Sequence, residues 1–74
     1  MKPTQEDAKA FANQIFDHFS KNPEPMTTEE IAEMTSRPAN IAEIYLDRLS
    51  EAGQIHYKPT SDRGVLWFTH KPLQ

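Results

Sequence analysis

The sequence predicts a small, mostly α-helical domain: three helices followed by a two-stranded β-hairpin. Three observations lead there. Apolar residues recur at helical spacing over residues 5–20, again near 28–35 and again over 38–52. The apolar pattern then changes to a period of two at Ile55 and Tyr57. Finally, a run of turn-forming residues, Pro59-Thr60-Ser61-Asp62-Arg63-Gly64, divides the last stretch into two short segments.

The first helix opens with Thr4 as N-cap and Asp7 three residues on, where a carboxylate faces the positive end of the helix dipole. Ala8, Phe11, Ala12, Ile15, Phe16 and Phe19 form a broad apolar stripe, which reads as core, with a dimer contact as the alternative use of part of it. Lys21-Asn22-Pro23-Glu24-Pro25 ends this helix and continues as a stiff, extended connector.

The second helix starts with a capping box, Thr27 and Glu30, flanked by Met26 and Ile31 at the positions of a hydrophobic staple. Ile31, Ala32 and Met34 supply its apolar face, and Thr35-Ser36-Arg37-Pro38 breaks it, because proline is tolerated in the first turn of a helix and not in its interior. In the third helix Ala42, Tyr45, Leu46, Leu49 and Ala52 share one face, and Gly53 is suited to the left-handed position that closes it.

The hairpin strands are expected at Gln54–Lys58 and Val65–His70 around a six-residue turn. Alternation turns Ile55, Tyr57, Leu66 and Phe68 inward and leaves Gln54, His56, Lys58, Val65, Trp67 and Thr69 outward. An outward Trp67 either covers a helix end or a cross-strand neighbour, or contacts a partner or nucleic acid. Lys71–Gln74 are expected to fray.

Two helices joined by a tight turn, then a hairpin, carry a family likeness. On Ile31-Ala32-Glu33, Thr35, Pro38, Leu46, Leu49 and Glu51-Ala52-Gly53, with Ile55 two places later, the chain resembles winged helix-turn-helix DNA-binding domains. The resemblance is especially to those of the IclR-like and MarR-like bacterial regulators, and it covers roughly residues 27–70. It implies three helices with a two-stranded wing. It also implies a small transcriptional regulator whose third helix reads double-stranded DNA while the wing contacts the backbone. Winged helices also serve as protein-interaction modules, so the DNA-binding regulator is the expected function and an interaction module that does not bind DNA is the alternative.

Composition bounds the rest. Seventy-four residues make one domain, 1–74, near the size at which a single core is just sufficient. Cysteine is absent, which excludes disulfides and thiolate metal sites. No apolar run reaches the ~20 residues of a membrane helix, and the chain opens on polar sequence without a secretory signal, so a soluble cytoplasmic protein is expected. No motif pairs a nucleophile with a base or cradles a phosphate, and His18, His56 and His70 are far apart. The expectation is a non-enzyme with no cofactor and no metal.

Charge divides the candidate sites. The net charge of −3 is uneven: residues 1–55 hold five cations against ten acids, a net −5, and residues 56–74 three against one, a net +2. For DNA, the candidates are Arg37 and Asn40 at base edges, with Arg48, Lys58, Arg63 and His56 at phosphates. A two-fold dimer would place two reading helices about 34 Å apart. Against DNA stands the outer face of the third helix, which carries Asn40, Glu43, Ile44, Asp47 and Glu51. For a protein partner, the candidates are Ile44, bordered by Ile41 and ringed by Glu43 and Asp47, and separately Trp67.

Overall fold

The computed structural model describes residues 2–69. Three helices, α1 (Gln5–Lys21), α2 (Thr28–Met34) and α3 (Ala39–Glu51), combine with strands β1 (Met26–Thr27), β2 (His56–Thr60) and β3 (Gly64–Phe68). The strands form one antiparallel sheet in the order β1-β3-β2. The expected hairpin is therefore two-thirds of a sheet. Its third strand comes from the connector after Pro25, where Met26 pairs with Trp67 and Thr27 with Leu66.

The helix limits follow from local chemistry. Thr4 caps α1, its Oγ1 accepting from the Asp7 N–H at 3.0 Å. Thr27 and Glu30 complete the capping box, with the Thr27 N–H donating to Glu30 Oε1 at 2.9 Å and the Glu30 N–H to Thr27 Oγ1 at 3.1 Å. Both later helices end in the same double-bonded closure. After α2, the Arg37 N–H reaches the Ala32 carbonyl and the Ser36 N–H that of Glu33. After α3, the Gln54 N–H reaches Leu49 and the Gly53 N–H reaches Ser50. This closure needs a left-handed residue, supplied by Gly53 at φ 74° after α3 and by Ser36 at φ 55° after α2.

The core lies where the three helices meet the sheet. Phe11, Ile15 and Phe19 of α1 pack with Ile31 and Ala32 of α2, Ile41, Ala42, Tyr45 and Leu46 of α3, and Ile55 and Trp67. Each large apolar side chain so buried contributes about 1.5–3 kcal/mol. Among polar residues Thr35 is buried, and its hydroxyl donates to the Ile31 carbonyl at 2.8 Å. Ile41, expected at the border of the exposed face, is core, and Ala52 is exposed.

The sheet corrects the inward and outward assignments. Trp67, expected outside, is buried at 4% exposure, whereas Tyr57, expected inside, is 55% exposed. Leu66 and Phe68, expected inside, are only partly covered. For β3 the cause is register. The hairpin closes on a three-residue turn, Ser61 to Arg63, so Lys58 lies opposite Leu66 and Tyr57 opposite Trp67. A six-residue turn would set Lys58 opposite Val65, and a slip of one residue exchanges the faces of an entire strand. Ile55, Tyr57, Val65 and Trp67 thus look the same way, and Tyr57 overhangs the rim of the core. His70 and Lys71–Gln74 lie outside the described residues.

Candidate functional site

Of the six side chains expected to meet DNA, Arg37 and Arg63 line one open depression beside α2, His56 and Lys58 lie on β2, and Asn40 and Arg48 lie on α3. Arg37 is built into the fold, its side chain only 8% exposed. Its Nε and Nη2 donate to Asp7 at 3.1 and 2.7 Å, and its Nη1 donates to Gln14 Oε1 at 2.6 Å and to the Thr35 carbonyl at 3.1 Å. The guanidinium also lies 5.4 Å from the Phe11 ring centroid. Arg37, expected to approach base edges, thus has its donors occupied inside the domain.

Arg63 is partly occupied as well. Its Nη2 donates to Glu30 Oε1 at 3.1 Å, joining the hairpin turn to the start of α2 through a half-exposed ion pair. The Thr27 N–H and Arg63 hold the Glu30 carboxyl below its usual range. Lys58 and His56 alternate with Tyr57 and so belong to the other sheet face, where the His56 ring lies 5.8 Å from that of Phe68. Asn40 and Arg48 are exposed on α3.

The protein-facing candidates are better gathered. Between α3, the start of α2 and the hairpin lies an open cleft of about 600 Å³. Glu43 and Asp47 line one side with Ser50 and Glu51; Thr27, Thr28 and Glu29 close one end; Tyr57, Arg63, Gly64, Val65 and Trp67 form the opposite side. Trp67 is anchored there, its indole N–H donating to Thr28 Oγ1 at 2.8 Å and its ring 5.3 Å from that of Tyr57. Ile44 is 37% exposed on the adjoining strip of α3 and does not line the cleft.

Of the twelve lining residues eight were not among the sequence candidates, and of these Glu29, Glu51 and Tyr57 carry a charge or an aromatic ring. Glu51 shares the helical phase of Glu43 and Asp47, a signal present in the sequence. Tyr57 needed the cross-strand register.

The cleft is acidic. Glu29, Glu43, Asp47 and Glu51 form no ion pair among the described residues, and the lone cation on its walls, Arg63, is held by Glu30. No three histidine or carboxylate side chains come together as a metal site among the described residues. Among these residues no helix is long and apolar enough to cross a membrane. Compared with family models, curated proteins and solved structures, the chain matches none.

Proposed function

We propose that this protein is a winged-helix module that binds a protein partner through the exposed side of α3 and the adjoining cleft, and that it does not itself read DNA. The element order α1-β1-α2-α3-β2-β3 supports the winged-helix reading, with α3 in the place of the recognition helix and β2-β3 as the wing.

One observation carries the choice of partner. The side of α3 that would enter a major groove presents Glu43, Asp47 and Glu51. Phosphates supply most of the affinity of a DNA-binding protein, and carboxylates at that position oppose it. Arg37 cannot offset them while it is bound to Asp7, and Arg63 is drawn toward Glu30. A helix that carries an exposed isoleucine within a polar rim suits a protein surface instead.

The test is anisotropy of labelled mixed-sequence duplex DNA titrated at low and moderate salt. No salt-sensitive binding is expected up to ~100 µM, the weak end of ordinary non-specific affinity. Salt-sensitive binding in that range, reduced by Lys58→Ala and Arg48→Ala, would overturn the proposal in favour of a DNA regulator. Binding gained only when Glu43→Ala is combined with Asp47→Ala would identify the carboxylates as the barrier and support it.

A further inference from the structure

The carboxylates along the cleft are unfavourable for the helix that bears them. Glu43, Asp47 and Glu51 recur every four residues, and like charges at that spacing destabilise a helix. The last two also approach the negative end of the α3 dipole. Among the described residues no cation lies within ion-pair distance of them. Tyr57 lines the same cleft from the hairpin, and at 55% exposure it is the more open of the two large apolar side chains exposed among the described residues.

The spacing specifies what would fit. Successive carboxylates in the row rise by about 6 Å along α3. Same-side residues of an extended chain repeat every ~6.6 Å, two residues at a time. Three alternate residues of an extended segment thus keep step with the three carboxylates. The aromatic ring opposite offers a face on which a guanidinium or ammonium group can rest.

Building on the interaction reading above, we propose that the cleft receives an extended cationic segment of a partner protein. Alternate arginine or lysine side chains meet Glu43, Asp47 and Glu51, and Tyr57 covers one of them.

The probe is a short capped peptide of alternating arginine and leucine, titrated into the full chain at low salt and followed by amide chemical shifts. Shift changes are expected at α3, the hairpin and the start of α2. The combined Glu43→Gln, Asp47→Gln and Glu51→Gln variant is expected to bind about tenfold more weakly, as loss of three facing charges implies. Its thermal stability should be no lower than wild type, because it removes repulsion within α3. Tyr57→Ala should weaken binding about threefold.

A charge-matched control, Glu6→Gln with Asp17→Asn and Glu24→Gln, alters exposed acids that do not line the cleft and should bind like wild type. Equal losses in the two triple variants would overturn the proposal, leaving only attraction to net charge. Equal binding of a peptide with glutamate in place of arginine would also overturn it, as would shifts elsewhere in the domain or concentration-dependent shifts at the cleft without peptide, which would indicate a second copy there. Absence of peptide binding together with absence of DNA binding would sink the cationic partner while sparing the interaction module. DNA binding by the wild type would remove both.

Discussion

Arg37 and Asp7 form a two-pronged ion pair, Nε to Oδ2 at 3.1 Å and Nη2 to Oδ1 at 2.7 Å, between residues thirty positions apart. The Tyr45 hydroxyl donates to the same carboxylate at 2.8 Å and accepts the Thr4 N–H at 3.3 Å. The turn after α2, the start of α1 and the middle of α3 are thereby joined at one carboxyl group. An arginine at the edge of a helix pair, plausible as a contact for DNA, is instead a link between helices.

That link makes stability depend on acid. Hydrogen bonds from Arg37 and then Tyr45 hold the Asp7 carboxyl at about 2, below its ordinary 3.8. Its stabilising contribution is complete above about 3.8 and is lost as pH falls through about 2. Asp7→Asn is therefore expected to melt below wild type at neutral pH, with the gap closing across that acid window. Urea unfolding followed by circular dichroism at a series of pH values measures it; a gap that stays constant to pH 2 would contradict the assignment.

Ser36 occupies a left-handed backbone position at φ 55° where the equivalent residue after α3 is Gly53 at φ 74°. Relief of that conformation should make Ser36→Gly more stable by about 0.5–1 kcal/mol, less any loss to the greater freedom of glycine in the unfolded chain. In the opposite direction, Gly53→Ala should cost about 1 kcal/mol. A Cβ at Gly53 meets nothing within 4 Å, so the cost is one of backbone conformation and not of crowding. Equilibrium unfolding of both variants decides the matter, and destabilisation by Ser36→Gly would be the contrary result.

Trp67 is the sole tryptophan, so its burial has an optical readout. Emission should be blue-shifted and weakly quenched by acrylamide in the folded state. Trp67→Phe loses the hydrogen bond to Thr28 and should cost about 1 kcal/mol, whereas Trp67→Ala empties a core position and should cost about 3–5 kcal/mol. A Trp67→Ala domain as stable as wild type would mean the indole lies outside the core.

Tyr57 and Ile44 are the reverse case. Both are large and apolar, yet both are exposed, so Tyr57→Ala and Ile44→Ala should each change stability by no more than about 0.5 kcal/mol. A large loss on chemical denaturation would assign either side chain to packing, and its value as a contact for a partner would fall accordingly.

Much of this architecture is written in short segments. Thr4 with Asp7, Thr27 with Glu30, and Gly53 each meet backbone groups within a few residues, and the three helices follow their apolar phases closely. The acidic row on α3 was legible for the same reason, since helical phase alone turns Glu43, Asp47 and Glu51 outward. β1 was not, because two residues after a proline carry no measurable period and become a strand only against Trp67 and Leu66.

By itself, then, the sequence determined the helices, their caps and stops, the division between an acidic body and a basic tail, and the presence of a terminal hairpin. The helices, caps and stops depend on contacts within about four residues, which are present wherever the chain goes, and the charge division and the hairpin turn are read from residue type along the chain. Tertiary structure decided that Arg37 is bound to Asp7 across the domain, that Trp67 enters the core, and that Tyr57 faces Glu43 and Asp47 across a cleft. These choices depend on hairpin register and helix packing. A turn shortened from six residues to three reverses the side on which every β3 residue falls relative to β2, and only pairing across the sheet selects between the two.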